Sequence, residues 1–266
     1  MTELPALPPA FYLPLGDDLY ESTPATASPW DESLQHGGPP SALLAHAIEG
    51  VRTSEDLQIA RFTADFLGGI PQGRVRVEAE VVRPGKRVEL IEATLWAGDR
   101  PAVRASAWLI RSTRGATAEH SSAAPEGPPV GPEGAERFFD GVSPSWGYGR
   151  AIDWRFVEGG YEPGPAVAWT RLRIPLMTGS DLSPVERLLV VADSTNGLSL
   201  TLPLQEWWAI PPTLTVAIER EPVDEWVLLD ARSTIGPDGI GTAAGTASDA
   251  HGTVARILQP LMVAPR

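Results

Sequence analysis

A repeated pattern, one helix followed by several strands, constrains the fold of this chain more than any other feature. In the first half, HGGPPSALLAHAIEG predicts a helix with Pro39 and Pro40 in its first turn and Gly50 at its end. In the second half, LSPVERLLVVADSTNG predicts a helix that starts with a capping box between Ser183 and Glu186. Each helix is followed by runs of alternating apolar and polar residues with turn residues between them, which are typical of antiparallel strands.

A proline- and glycine-rich segment separates the two copies of this pattern. Residues 115–134 have the sequence GATAEHSSAAPEGPPVGPEG, which has no apolar periodicity. Such a composition is typical of an exposed linker. We therefore predict an N-terminal unit over residues 1–113, a linker over residues 114–145 and a C-terminal unit over residues 146–266.

The sequences of the two units also match when the second half is aligned with the first without gaps. A single offset places IGPDG on VRPGK and aligns the strand ending PLMV with the strand ending AWLI. The same offset places Gln259 on Ser106 and Thr213 on Ala60. A duplicated unit explains these matches most economically. Because the first half lacks this glutamine and threonine, we expect one site per chain, carried mainly by the second half.

The helix of the second half is apolar on nearly every side, in RLLVVA, so it must be enclosed by the protein. An antiparallel sheet that curls around a central helix encloses it, and this arrangement is the hot-dog fold. We therefore predict an α+β protein with a double hot-dog fold, in which two tandem antiparallel sheets are each wrapped around a central helix.

Composition and motifs exclude several classes of function. The formal net charge is -13, which disfavours binding to nucleic acid, and the absence of cysteine excludes thiolate nucleophiles and cysteine metal sites. The four histidines are far apart in sequence, and no P-loop, dinucleotide-binding or nucleophile-elbow motif occurs. No apolar run approaches the length of a membrane span. We expect a cytoplasmic protein without metal, organic cofactor, nucleic-acid partner or membrane contact.

Four segments in order resemble the TesB-like (type II) acyl-CoA thioesterases over the whole chain apart from the linker. They are HGGPPSALLAHAIE, LLVVADSTNG, PTLTVAIEREPVDEWVLLDARST and ARILQPLMV. The resemblance implies an enzyme of lipid metabolism that hydrolyses a fatty acyl-CoA thioester. In this family a water molecule held by an aspartate, a threonine and a glutamine carries out the reaction. By position, these residues are Asp193, Thr213 and Gln259, with Thr215 in place of Thr213 if the preceding loop aligns differently.

The residues themselves allow this chemistry without requiring it. Asp193 shares a helical stripe with apolar residues, so its carboxylate would face the core, where desolvation raises its pKa towards that of a general base. Alternatively, DSTNG is only the end of the helix, and Asp193 and Asn196 bind local backbone groups. Gln259 alternates with apolar residues on its strand, so its amide faces the core and needs a partner there, which a backbone group would also satisfy.

The start of the first helix is the predicted contact with the substrate. The paired Gly37 and Gly38 lead into a helix N-terminus, where backbone amides can approach a thioester oxygen, although a tight turn would also explain them. His36 is next to them and is predicted to touch the substrate, unless it belongs only to the helix cap. The acyl group is expected on CoA or on a carrier protein, and edge strands favour a homodimer.

Two other functions fit the same fold. A hot-dog enoyl-CoA hydratase uses an aspartate and a histidine close together at the helix start, and Asp31 and His36 have a similar spacing. A module that binds acyl chains or serves in assembly without catalysis is the third reading, since fold does not determine function.

Overall fold

The computed structural model describes residues 4–113, 115, 123–130, 142–160 and 162–266. Much of the predicted linker, residues 114–145, lies outside the described residues. In each half the chain follows the predicted order, a helical segment and then several antiparallel strands.

The elements of the N-terminal half are β1 (Tyr12–Gly16), β2 (Leu19–Ser22), a short 3-10 helix (Pro24–Thr26), α1 (Gly38–Val51), β3 (Leu57–Phe66), β4 (Arg74–Arg83), β5 (Val88–Ala97) and β6 (Arg100–Arg111). Those of the C-terminal half are α2 (Gly147–Arg150), β7 (Ile152–Glu158), β8 (Ala166–Leu172), α3 (Pro184–Ala192), α4 (Thr195–Leu198), β9 (Trp207–Ile210), β10 (Thr213–Ile218), β11 (Val227–Ile235), β12 (Ile240–Asp249) and β13 (Gly252–Pro265).

The helix starts predicted from the sequence are confirmed. At α3 the hydroxyl of Ser183 accepts a hydrogen bond from the Glu186 amide at 3.1 Å, and the Glu186 carboxylate accepts one from the Ser183 amide at 3.0 Å. Helix α1 has prolines in its first turn as expected, but it continues through Gly50 and ends at Val51.

The strands of the described residues form one sheet, in the order β1-β2-β4-β5-β6-β3-β10-β13-β12-β11-β8-β7, with β9 paired to β13. The junction between the halves is the antiparallel pair of β3 and β10, in which Thr63 faces Thr215. The two predicted tandem sheets are therefore joined edge to edge into one continuous antiparallel sheet.

The strand order confirms the duplication. Counted outwards from the junction, the first half has the order β3-β6-β5-β4-β2-β1 and the second half has the order β10-β13-β12-β11-β8-β7. Each strand therefore has a counterpart at the same position in the other half. The registers of the three inner strand pairs agree as well, because the pairs β3 with β6, β5 with β6 and β4 with β5 have the registers of β10 with β13, β12 with β13 and β11 with β12.

These registers correct the sequence offset by one residue. Thr63 faces Ser106 in the first half and Thr215 faces Leu258 in the second, so Ser106 corresponds to Leu258. The counterpart of Gln259 is therefore Ala107 rather than Ser106. That of Thr213 is Arg61 rather than Ala60.

The helices pack against the sheet and against each other. Helix α1 contacts β4, β5 and β6, α4 contacts β11, β12 and β13, and α3 packs against α1. One cluster of buried apolar side chains extends through both halves. Among the described residues, no helix combines the length and apolar character needed to cross a membrane.

The contact between α1 and α3 is closest at Gly38. A Cβ atom on Gly38 would overlap the backbone carbonyl oxygen of Val190. Because any side chain at this position meets backbone rather than a movable side chain, only glycine permits the observed approach of the two helices.

We predict that Gly38→Ala destabilises the protein by about 1–3 kcal/mol, because the added methyl group forces α1 and α3 apart. The matched control is Gly50→Ala in the same helix, where a Cβ has no heavy atom within 4 Å. This control is expected to raise stability by about 0.5–1 kcal/mol through lower entropy of the unfolded chain. Urea denaturation followed by circular dichroism measures both, and equal effects would contradict the close helix contact.

Candidate active site

Asp193 lies between the two halves of the chain. It ends α3, and the next helix, α4, begins two residues later, so the helical run is broken at Asp193 and Ser194. Only 7% of Asp193 is exposed. Its carboxylate faces the residues that lead into α1, at His36 and Gly37.

Groups from both halves surround this carboxylate. Gln259 donates from Nε2 to Asp193 Oδ1 at 2.8 Å, and Nδ1 of His36 lies 3.2 Å from Oδ2. The backbone amides of Gly37 and Gly38 also point at the carboxylate. A Cβ on Gly37 would lie 2.8 Å from Oδ2 and 2.6 Å from the ring of Phe66, so a side chain here would displace Phe66 or the carboxylate of Asp193.

Burial dominates the electrostatics of the site. Desolvation raises the pKa of Asp193 to about 7, although the Gly37 and Gly38 amides and Gln259 stabilise the anion and oppose the rise. Desolvation also lowers the pKa of His36, to about 3. At neutral pH, His36 is therefore uncharged and Asp193 is poised between its two protonation states, so the pair is not an ion pair.

The tautomer of His36 follows from its neighbours. The amide of Gly38 donates to Nδ1 of His36 at 3.1 Å, so Nδ1 is an acceptor and the proton of the neutral ring is on Nε2. Nδ1 has a single lone pair, which the Gly38 amide already uses, so the 3.2 Å contact between Nδ1 and Asp193 Oδ2 is not a second hydrogen bond.

Gln259 occupies the core face of β13, as its alternation predicts. It is fully buried together with Ile257 and Leu261. Its Oε1 accepts a hydrogen bond from the backbone amide of Asn196 at 3.1 Å. This bond fixes the orientation of the Gln259 side chain and directs its Nε2 at Asp193.

Tyr148 orders the other side of the site. Its ring is stacked on His36 with 3.9 Å between the ring centroids, and its hydroxyl donates to the carbonyl oxygen of Val190 at 2.7 Å. The same hydroxyl lies 2.7 Å from Oγ of Ser194. Tyr148 thus ties the His36 ring to the end of the helix that carries Asp193.

The structure does not bring Thr213 to the carboxylate. Its hydroxyl donates to the carbonyl oxygen of Ala64 on β3 at 2.9 Å, and Thr215 Oγ1 lies 3.3 Å from Thr63 Oγ1. On β10 the buried face that meets the helices carries Leu214 and Val216, so both threonines point away from it. The implied partnership of Thr213 with Asp193 and Gln259 is therefore absent from this arrangement.

The two glycines differ in position. Gly37 lines a cavity beside Asp193, whereas Gly38 is buried behind it against Val190. The Gly38 amide donates to Nδ1 of His36 at 3.1 Å, so it is not directed at a substrate oxygen as we expected, and the Gly37 amide stabilises the Asp193 carboxylate.

The cavity has a volume of about 580 Å³, within the usual range for pockets that bind organic ligands. His36, Asp193, Ser194 and Asn196 provide polar groups in its wall. Most of the remaining lining is apolar and includes Trp30, Phe66, Trp146, Trp154, Leu200 and Trp208. The cavity can therefore hold a long apolar group with a polar group beside Asp193.

Asn196 is a site residue whose position the sequence did not indicate. We considered it only as a partner of local backbone groups, but its Nδ2 donates to the carbonyl oxygen of Ala209 at 2.6 Å, on another element. Its Oδ1 is enclosed and has no hydrogen-bond partner among the described residues.

The short-range pair Asp31 and His36 is not formed. The Asp31 carboxylate accepts hydrogen bonds from the amide and hydroxyl of Ser33 at 2.9 and 2.7 Å, and Asp31 is exposed. The carboxylate beside His36 is that of Asp193, so the geometry expected for the hydratase is wrong for this chain.

We predict that Asp193→Asn stabilises the fold at high pH. The pKa of Asp193 rises from an ordinary 3.8 to about 7 on folding, so ionisation favours the unfolded state as the pH rises between these values. A shift of this size corresponds to about 4 kcal/mol. In urea denaturation, the free energy of unfolding of Asp193→Asn should exceed that of the unmodified protein by nearly this amount at pH 8. The difference should become smaller towards pH 4.

Asp31→Asn is the control for that experiment. Hydrogen bonds from Ser33 lower the pKa of Asp31, so ionisation of Asp31 favours the folded state. Asp31→Asn should therefore not gain stability as the pH rises. A pH-independent difference between Asp193→Asn and the unmodified protein would contradict the raised pKa.

Solved structures with the same architecture cover nearly the whole chain. A hot-dog fold protein of unknown function from Alicyclobacillus acidocaldarius has a TM-score of 0.71 at 18% identity over 97% of each chain. Acyl-CoA thioesterase II TesB2 from Mycobacterium marinum has a TM-score of 0.66 at 18% identity, over 96% of this chain and 95% of that one. The tesB protein of Mycobacterium avium subs paratuberculosis has a TM-score of 0.66 at 16% identity over 96% of each chain. These likenesses confirm the double hot-dog fold.

A comparison with curated proteins gave no match. Two family models match the sequence itself, the acyl-CoA thioesterase N-terminal domain over residues 26–110 and the acyl-CoA thioesterase C-terminal domain over residues 121–263. Since these two matches span most of the chain in the expected order, the protein belongs to the acyl-CoA thioesterase family of thioester hydrolases.

Proposed function

We propose that this thioesterase hydrolyses a fatty acyl-CoA to the free acid and CoA, with Asp193 and Gln259 activating the attacking water. One observation carries the proposal: a buried carboxylate with a pKa raised to about 7 lies in the wall of a largely apolar cavity. The acyl chain would fill the apolar part, and the thioester would lie beside Asp193, near His36 and Gly37.

In the proposed reaction Asp193 acts as a general base. It takes a proton from water while the water oxygen bonds to the thioester carbonyl carbon, and the electrons of the C=O double bond move to oxygen. The tetrahedral intermediate then collapses, the C–S bond breaks, and the proton on Asp193 passes to the CoA sulfur. A base with a pKa near 7 is suited to both transfers at neutral pH.

Gln259 would keep the carboxylate in place for this cycle. Its Nε2 donates to Oδ1 and its Oε1 is held by the Asn196 amide, so Asp193 cannot rotate freely. Oδ2 is then the oxygen that exchanges the proton. Since Thr213 binds Ala64 instead, the proposal assigns the water to Asp193 and Gln259 without Thr213.

The proposal includes several properties that the sequence predicts. The acyl group is carried by CoA or by a carrier protein. We also predict a homodimer, a cytoplasmic location, a role in lipid metabolism, and activity without a metal or organic cofactor.

The first test is release of free thiol from acyl-CoA substrates of short, medium and long chain. We expect turnover by the unmodified protein and a loss of at least about 100-fold in Asp193→Asn, since general-base catalysis contributes about 100- to 10,000-fold. The kcat/KM of the unmodified protein should rise as the pH passes through about 7, because the base must be ionised. Binding of acyl-CoA without turnover would favour the acyl-binding module instead.

A second pair of variants tests the composition of the catalytic set. Gln259→Met keeps the size of the side chain but removes the amide, and we expect kcat to fall about 100-fold. Thr213→Val removes a hydroxyl bonded to Ala64, and we expect kcat to stay within a few-fold of the original. Steady-state kinetics on the preferred substrate measures both. A loss in Thr213→Val as large as that in Gln259→Met would restore the threonine to the mechanism.

A further inference from the structure

The proposed reaction places negative charge on the thioester oxygen, and the site needs a hydrogen-bond donor for it. The amides of Gly37 and Gly38 are directed at Asp193, and that of Gly38 donates to His36 Nδ1. Gln259 Nε2 donates to Asp193. The Gly38 and Gln259 donors are therefore engaged, and the Gly37 amide already stabilises the Asp193 carboxylate.

His36 has a donor that its neighbours leave free. Nδ1 accepts from the Gly38 amide at 3.1 Å, which leaves the ring proton on Nε2. Nε2 has no hydrogen-bond partner among the described residues, and it is not enclosed by protein atoms. Since His36 lines the cavity, this N–H group is open to it.

The ring is also held rigidly. It is stacked on Tyr148 at 3.9 Å with 12° between the ring planes, and Tyr148 is anchored through its hydroxyl to Val190. Asp193 Oδ2 lies 3.2 Å from the other ring nitrogen. A donor fixed before the substrate arrives needs no reorganisation during the reaction, which is the condition for strong stabilisation of an oxyanion.

We propose that the Nε2–H group of His36 donates a hydrogen bond to the thioester carbonyl oxygen and stabilises the oxyanion formed when water adds. This inference rests on the proposed thioester hydrolysis and names the oxyanion donor of that site. His36 keeps its proton throughout, since the proton from water passes through Asp193 to the leaving sulfur.

The charge state of His36 agrees with this role. Burial lowers the pKa of His36 to about 3, so the imidazole is neutral near pH 7, where Asp193 can act as a base. The ionisable side chains against the ring are Asp193 and Tyr148. A neutral imidazole polarises a carbonyl without neutralising the adjacent carboxylate.

The test compares His36→Gln with His36→Met. Both variants lose the aromatic stack on Tyr148, but only glutamine offers an N–H donor close to the position of Nε2. We expect His36→Met to lower kcat about 100- to 1,000-fold with little change in KM, which is the usual loss for one oxyanion donor. The kcat of His36→Gln should be at least about 10-fold higher than that of His36→Met. Equal kcat values in the two variants would overturn the proposal.

A spectroscopic measurement separates donation to the substrate from a purely structural role. In the Asp193→Asn background, the preferred acyl-CoA labelled with ¹³C at the carbonyl would remain bound, and its C=O stretch should shift to lower frequency than in water. Adding His36→Met should remove this shift, and adding His36→Gln should retain part of it. A C=O frequency that is unaffected by His36→Met would overturn the proposal.

These outcomes are distinct from failure of the proposed function. If the unmodified protein hydrolyses no acyl-CoA, the thioester hydrolysis itself is wrong. If it does so and His36→Met retains its kcat, only the role of His36 is wrong.

Discussion

The site depends on the burial of one carboxylate at the boundary between two halves of the same chain. Asp193 comes from the second half, as does Gln259, while His36, Gly37 and Gly38 come from the first. Burial of an unpaired carboxylate costs several kcal/mol, and hydrogen bonds from these groups offset only part of that cost. The remainder appears as the raised pKa of Asp193, the property that a general base requires.

This burial is possible because the two halves are joined in two places. The pairing of β3 with β10 makes a single sheet, and Gly38 lets α1 approach the backbone of α3 at Val190. The same close approach brings the residues before α1 to the end of α3, where Asp193 lies. The packing of the helices and the chemistry of the carboxylate therefore share one cause, the absence of a side chain at Gly37 and Gly38.

Local patterns in the sequence predicted the parts of this arrangement that local rules govern. The capping box placed the start of α3, and strand alternation placed Gln259 on a buried face. Alternation could not show which face of β10 meets the helices, because Leu214 and Thr215 fit either face until the partner strands are known. Tyr148 lies in a four-residue helix without periodicity, and it reaches Val190 and Ser194 across more than forty positions of sequence. Such contacts depend on tertiary packing between segments distant in sequence, which no local pattern indicates.

The duplication explains why only one half carries the proposed base. The counterpart of Gln259 is Ala107, so the first half has no amide to hold a carboxylate on its helix. Without that partner, the charged form of a second buried carboxylate would lack one hydrogen bond. The free-energy cost of its desolvation would then be offset less than it is at Asp193. The first half instead supplies His36 and the glycines to the site of the second. One copy thus keeps the titrating group while the other provides the surface that encloses it.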